Sequence, residues 1–372
     1  MAYVERRSRD RWRARYRGPD GRERSKTFAR RIDAERFLAA MEHSKSIGAF
    51  VDPALGRVRL ADWVHTWLQG AGPTVKPKTL ASYESLLRSR VLPVFGHRRL
   101  SDIRPSDVQA WVGQMQTDGL SASRIRQAVI VLRSALDAAV QDNMLGRNPC
   151  VGVRLPKLTH NEAAYLEPHV VEAISFEMPK PYDLLVRLLG TLGLRWGEAV
   201  ALRRRHVDLL RRRLRVEQSL SEVSGRFVFG ATKSHSMRAI PLSPGLRVEL
   251  ERHLSDAEGT EADALLFRGP KGGPLRYRYF YMRLWRPALE RMRLPSTGLH
   301  TLRHSAAARM ISAGASPKAV QSIMGHRSAA FTLTVYGHLF DADLDDLAAK
   351  LDLPAASPRP ALLRAGAQEK GK

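Results

Sequence analysis

Cysteine is almost absent: Cys150 is the only one in 372 residues. A lone cysteine can make neither an internal disulfide nor a cysteine-based zinc site. The expectation is therefore a cytoplasmic protein that does not depend on redox chemistry. No apolar run reaches the roughly eighteen residues that a membrane-spanning helix needs. The amino terminus, MAYVERRSRDRWRARYRG, has no apolar segment of the secretory type. It is arginine-rich, but Glu5 and Asp10 already interrupt it, which argues against a transit peptide. Acidic residues are also few: 37 Asp+Glu stand against 61 Lys+Arg, a net charge of +24.

That excess calls for a polyanionic partner, either nucleic acid or an anionic membrane. No long basic amphipathic helix with a bulky apolar face stands out, so nucleic acid is favoured and no membrane partner is expected. Hydrophobic residues make up 44%. The length leaves room for two or three domains, each with its own core.

Periodicity divides the chain. In RWRARYRG, Trp12, Ala14 and Tyr16 alternate with Arg11, Arg13, Arg15 and Arg17, the pattern of a strand with one buried face. GPDGRER is a turn. A helical period follows, with Ile32, Phe37, Leu38 and Met41 inward, and Gly48–Pro53 closes a small β-β(-β)-α module over 1–55. Its arginine face is a candidate nucleic-acid contact. Residues 60–156 read as four helices. Leu80, Tyr83, Leu87 and Val91 mark one stripe, with Thr79 as its N-cap. Ile125, Val129, Leu132, Leu136 and Val140 mark another, backed by Arg124, Arg126 and Arg133. Val153–Leu166 is an extended linker. The stretch 165–351 mixes helices with three short strands broken at Ser224-Gly225 and at Lys233–Ser236. The segment 354–372, rich in Pro, Ala and charge, is expected to be a disordered tail. The fold class expected is mixed and mainly α, with a small antiparallel sheet in the last domain.

Four stretches of that domain carry candidate chemistry. In TLGLRWGEAVALR, Arg195 and Glu198 share one face of a helix beginning near Leu192, the spacing of an ordinary surface ion pair. In TKSHSMRAIPL, Lys233 sits in a turn between strands. HTLRHSAAARM opens a helix with His300, Arg303 and His304. The two histidines have a metal-ligand spacing, but Thr301 stands where a zinc protease needs Glu and no acidic third ligand is evident. His304 is expected to pack or to support a neighbour. In SPKAVQSIMGHRSAAFTLTVYGH, a helix capped by Ser316, Pro317 and Gly325 leads to His326. A second helix, capped by Ser328, ends at Tyr336. Taken together, these residues suit a phosphodiester without a metal. Guanidinium groups grip non-bridging oxygens, histidine donates or moves a proton, and tyrosine is a nucleophile that needs help against its high pKa.

In order and spacing, GLRWGE, TKSHSMRAIPL, HTLRH and MGHRSAAFTLTVYGH resemble the tyrosine recombinase (phage integrase) family. The resemblance covers 165–351 as the α+β catalytic domain. The helices of 60–156 look like that family's core-binding domain, and 1–55 looks like its arm-type DNA-binding module. It implies that Tyr336 attacks the scissile phosphate to give a 3′-phosphotyrosine and a 5′-hydroxyl. Arg195 and Arg303 would hold the phosphate, Lys233 would protonate the 5′-oxygen, His300 would assist proton transfer and His326 would hydrogen-bond the phosphate. Glu198 would support the site. Neither ATP nor a metal would be required, so no cofactor is expected. The resemblance further implies a clamp around double-stranded DNA at core or attachment sites, with arm sites for the first module, and a homotetramer on DNA. An excisionase or a DNA-bending host protein is a possible partner, and a nucleoid-associated location follows. The stripe Leu339, Leu344, Leu347 and Leu351 marks a C-terminal helix that packs on its own chain or on a neighbour. His338 is expected to support the end of the tyrosine's helix.

Other readings are a DNA-binding architectural protein with a vestigial site, a relaxing topoisomerase of type IB, and a chromosome-dimer resolvase. The complete residue set argues against the first, and the basic N-terminal module argues against the other two.

Overall fold

Alternating aromatic and basic residues make the first strands, and what pairs with them is decided in three dimensions. The computed structural model describes residues 2–18, 21, 23–46, 55–158, 164–232, 237–256, 261–326, 328–340 and 351, without the side chains of 44–46 and 338. β1 (Tyr3–Ser8), β2 (Arg11–Arg17) and β3 (Glu23–Phe28) form an antiparallel sheet with β2 central. It is packed by α1 (Arg31–Ser46). Ala14, Tyr16, Ala34 and Leu38 are its buried core. Phe37 and Met41 pack against them, whereas Ile32, expected inside, is exposed. Ile32 stands at the first turn of the helix, and Ala34 takes the inward position instead. The closing segment Gly48–Pro53 lies outside the described residues.

The arginine face of β2 is not bare. Glu5 lies opposite Arg13 in register and within 3.5 Å of it, and Arg15 bridges Glu5 (3.0 Å) and Glu23 (2.9 Å). A strand pattern displays side chains on a face, but the strands beside it decide which charges meet there.

The helical part contains α2 (Leu60–Ala71) and α3 (Pro77–Leu86), the latter continuing through a π turn into α4 (Leu92–Phe95). α5 (Pro105–Thr117) and α6 (Ala122–Gln141) complete it. α3 begins at Pro77 after Lys76, so Thr79 sits inside the first turn rather than at the N-cap. Proline at the first helical position sets that boundary, because its fixed φ suits the helix and its missing N–H would lack a partner anyway. Ile125, Val129, Leu132 and Leu136 of α6 are buried as the stripe requires, and Trp63 Nε1 donates to Ala135 O at 2.7 Å. Cys150 is buried beside Asn148, and burial pushes its thiol up to about 12, which leaves it unreactive. Arg126 Nε donates to Pro156 O (2.9 Å), Arg124 to Gln127, and Arg133 lies 3.7 Å from Asp137.

These elements belong to one compact unit, Met1–His160 with Val223–Gly225; a second comprises Asn161–Glu222 and Arg226–Lys372. In the second, α7 (Pro168–Phe176), α8 (Tyr182–Leu192) and the one-turn α9 (Trp196–Ala199) precede the strands. Two separate sheets form where three strands were expected. β4 (Val207–Asp208) and β5 (Arg213–Val216) pair with β8 (Arg238–Pro241), while β6 (Gln218–Val223) and β7 (Arg226–Ala231) make a hairpin turning at Ser224-Gly225. Glu217 separates β5 from β6, so one apparent strand splits between two partners. α10 (Pro244–Asp256), α11 (Tyr277–Phe280), α12 (Arg286–Arg291), α13 (His300–Ser312), α14 (Pro317–Met324) and α15 (Ala329–Tyr336) follow. α8 is buried along most of its length and carries the core with Phe267, Phe280, Trp285 and Leu302. α13 lies on α8, with Leu302 beside Gly190 and Ala306 beside Gly193. No described helix is long and apolar enough to cross a membrane.

Candidate active site

Two helix ends frame the site. α8 stops at Gly193 (φ 64°) and α14 stops at Gly325 (φ 66°), both in the left-handed conformation that glycine adopts without strain. Space demands glycine at Gly325 as well: a Cβ there would lie 2.9 Å from the Arg238 guanidinium. The carbonyls that these ends release hold the arginines. Arg303 Nη1 donates to Gly193 O and Nη2 to Met324 O (2.8 Å), and Arg195 Nη2 donates to Gly325 O (3.2 Å). Arg195 is not on a helix that begins near Leu192. Gly193 ends α8, and Arg195 is the N-cap residue of α9, held by a hydrogen bond from its N–H to Glu198 Oε2 (3.0 Å).

Glu198 is fully buried and organises the cations. It accepts from Arg195 Nη1 (2.9 Å) and from both terminal nitrogens of Arg238 (2.7 and 3.3 Å), while Arg238 Nε donates to Ile323 O (2.7 Å). Burial alone would push the Glu198 carboxyl up. Its hydrogen bonds and ion pair with Arg238, then those with Arg195, outweigh this and leave it below the usual range. Burial, then the charge of Arg195, pulls the Arg303 guanidinium down. Arg303 spends two of its five N–H donors on carbonyls, which leaves donors for an anion. The Arg195 side chain is 24% exposed and reaches solvent.

The turn after α14 and the helix that follows it bring in His326 and the phenol. Ser328 caps α15 by accepting from Phe331 N, and the helix ends at Tyr336, only 2% exposed, in a small apolar cluster with Ile311, Val320 and Met324. His326 Nδ1 is 2.9 Å from Thr332 Oγ1, one turn into α15, and its ring stacks against Tyr336 at 6.3 Å. Burial, then Arg303, Arg195 and Arg238, pulls His326 down to about 4, so it is neutral at physiological pH. Burial pushes Tyr336 up to about 12, although Arg303 favours its phenolate. The Tyr336 hydroxyl lies 2.7 Å from His304 Nδ1.

Arg195, Glu198, Arg303, His326 and Tyr336 therefore converge. His300, the first residue of α13, is exposed and its ring lies 4.9 Å from that of His304. Lys233 and its turn, the side chain of His338, most of the 338–351 helix and the 354–372 tail lie outside the described residues. Three residues were not singled out from the sequence: Arg238, Thr332, and His304 as a partner of the phenol. Thr332 had a signal, since it follows His326 by six residues on the capped helix. Arg238 and the His304–Tyr336 contact had none, because each joins elements far apart in the chain.

Known proteins carry the same architecture. Residues 164–343 match the phage integrase family, residues 59–116 the phage integrase N-terminal SAM-like domain, and residues 3–47 the phage integrase N-terminal domain. A putative prophage phiRv2 integrase of Mycobacterium tuberculosis (strain CDC 1551 / Oshkosh) is 31% identical over 343 residues, covering 87% of this chain and 88% of the relative. The integrase of Mycobacterium phage L5 is 25% identical, covering 81% and 82%. Among solved structures, the Tn1549 transposon integrase in complex with a circular intermediate DNA superposes with a TM-score of 0.68 at 24% identity, covering 78% of this chain and 99% of that one. A lambda integrase dimer bound to a COC′ core site gives 0.60 at 18% identity, covering 96% and 97%. With a relative 31% identical across 87% of its length, the chain belongs to the phage integrase family: it is a tyrosine recombinase, an enzyme that breaks and rejoins DNA at specific sites.

Proposed function

We propose that this recombinase works through Tyr336, whose phenolic oxygen attacks the scissile phosphorus. The Oη–P bond forms as the P–O5′ bond breaks, leaving a 3′-phosphotyrosine and a 5′-oxygen. Arg195 and Arg303 hold the non-bridging oxygens and stabilise the charge of the pentacoordinate state. His326 donates to the same phosphate: its Nδ1 is within hydrogen-bond distance of the Thr332 hydroxyl, and with that nitrogen as acceptor the ring proton sits on Nε2. Lys233 protonates the leaving 5′-oxygen and His300 assists proton transfer. Glu198 holds Arg195 in place. The phosphotyrosine conserves the bond energy, so rejoining is the same reaction reversed. The observation that carries this reading is the convergence of two arginines, a neutral histidine and a buried tyrosine on one pair of helix ends.

Residues 1–55 bind arm-type DNA, 60–156 the core site, and four copies assemble on two duplexes. Arg11, Arg13, Arg15, Arg17, Arg124, Arg126 and Arg133 contribute to DNA contact. Of these, Arg11, Arg17, Arg124 and Arg133 are exposed, and the first three carry most of it, since Asp137 lies near Arg133 and Glu5, Glu23 and the Pro156 carbonyl engage the half-buried Arg13, Arg15 and Arg126. The element moved is a prophage or a related mobile element, an excisionase or a DNA-bending host protein sets direction, and the protein works in the cytoplasm on the nucleoid.

The test is a suicide substrate: a duplex carrying the attachment core recovered from DNA flanking the gene, nicked beside the cleavage site. A covalent protein–DNA adduct is expected, and Tyr336→Phe abolishes it. No adduct from the unaltered protein on that core would overturn the reading and favour an architectural role.

A further inference from the structure

The reaction needs a group that takes the phenolic proton directly; the assistance assigned to His300 does not name it, and that ring lies against His304. Burial pushes the Tyr336 hydroxyl up to about 12, so near neutral pH only on the order of one molecule in a hundred thousand holds it as phenolate. A base within hydrogen-bond reach removes that obstacle.

The Tyr336 hydroxyl lies within hydrogen-bond distance of His304. We propose that His304 is the general base for strand cleavage: its Nδ1 takes the Tyr336 proton as the phenolic oxygen attacks phosphorus. The proposal rests on Tyr336 being the nucleophile. The contact is 2.7 Å and joins residues on α13 and α15. His326, the other nearby imidazole, is turned to Thr332 through Nδ1 and stacks on the tyrosine ring rather than meeting its hydroxyl. His300 lies against the His304 ring.

The surroundings of His304 fit the role. The groups facing it are His300 and Arg303 on its own helix, Tyr336 from α15 and His326 from the turn before α15. Burial, then the Arg303 charge, pulls His304 down, so it is neutral near physiological pH and able to accept a proton. With its ring proton on Nε2, Nδ1 receives the hydroxyl hydrogen bond. In cleavage the Tyr336 O–H bond breaks and its proton passes to Nδ1. The Oη–P bond forms, the P–O5′ pair leaves with the 5′-oxygen, and Lys233 protonates that oxygen. In rejoining, the 5′-hydroxyl gives its proton back to Lys233 as its oxygen attacks phosphorus, the Oη–P bond breaks, and the His304 Nδ1 proton returns to the departing phenolic oxygen. The cycle consumes no other reactant.

His304→Ala and His304→Asn separate this role from mere positioning. Asparagine can keep a hydrogen-bond acceptor near the Nδ1 position but takes no proton at neutral pH. With the nicked suicide duplex, both variants are expected to form the covalent adduct about 10² to 10³ times more slowly. The unaltered rate rises with pH through one ionisation and levels off. The variant rates climb about tenfold per pH unit between pH 6 and 9, following the phenol itself. Added imidazole partly restores His304→Ala, and gel shifts with the same duplex verify that DNA binding survives. Recovery of the His304→Asn rate to within a few-fold of normal would reduce His304 to a positioning residue and overturn the proposal. So would cleavage faster than normal in either variant, which would mean that the contact restrains the tyrosine. Tyr336→Phe run alongside separates the two assignments. If its adduct persists, the nucleophile assignment fails; if the adduct needs Tyr336 but is indifferent to His304, only the present proposal fails.

Discussion

Removing Arg238 and Glu198 together is expected to damage the catalytic unit no more than removing either one alone. The Glu198 side chain is 0% exposed and that of Arg238 is 7% exposed, so neither charge can turn to water if its partner goes. Breaking a buried ion pair from one side costs about 3–5 kcal/mol, because a desolvated charge is left uncompensated. Arg238→Met strands the carboxylate with Arg195 alone and frees the Ile323 carbonyl. Glu198→Leu strands the Arg238 guanidinium. The double substitution strands neither, and Arg195, 24% exposed, can rehydrate. Each single change is thus expected to cost about 3–5 kcal/mol and the pair no more than either, a coupling of roughly 3 kcal/mol. Amide hydrogen exchange on peptides from α8 and α13 reads the catalytic unit separately from the first unit. A coupling of that size changes local opening by about two orders of magnitude. Additivity of the two single costs to within about 0.5 kcal/mol would refute the idea that Glu198 needs Arg238 for its charge. In that case Arg195 alone would satisfy the carboxylate.

Further outcomes follow from the same geometry. Gly325→Ala places a Cβ at φ 66° and 2.9 Å from Arg238. It is expected to destabilise the unit by at least about 1–2 kcal/mol in urea unfolding and to weaken adduct formation by shifting the carbonyls that hold Arg195 and Arg303. His326 is depressed from 6.5 to about 4, so the unfolded chain takes up a proton first as pH falls. Its contribution is present above pH 6.5 and is lost towards pH 4, about 3 kcal/mol in all; His304 shifts in the same direction. Urea midpoints measured across that window are expected to fall with acid, and less steeply for His326→Gln; identical slopes would contradict the buried neutral imidazole. Lys233→Ala is expected to slow cleavage of a normal 5′-oxygen far more than that of a 5′-thio leaving group, which needs no acid; equal slowing in adduct assays would remove Lys233 from that role.

Much of the site's scaffold was legible because local rules build it. Ser316, Pro317 and Gly325 bound α14, Ser328 caps α15 and Tyr336 ends it, all through contacts within a few residues. The buried stripe of α6 follows from helical period in the same way. Longer-range choices escaped the pattern. The period-two run near Arg213 could not announce that it would divide between two sheets. The helix expected near Leu192 became a glycine stop and a fresh turn, because Gly193 turns left-handed and Arg195 and Glu198 then cap a new helical turn.

The sequence by itself determined the residue types, their order and the caps that hold His326 and Tyr336 ten positions apart. It also determined the charge that demands a polyanion. Tertiary structure alone decided that Arg238 neutralises Glu198, that three carbonyls at two helix ends orient Arg195 and Arg303, and that His304 meets the phenol 32 residues away. The division is physical. Caps and periodicity act through neighbouring backbone groups, whereas a buried charge or hydroxyl takes the partner that packing brings to it once water is gone.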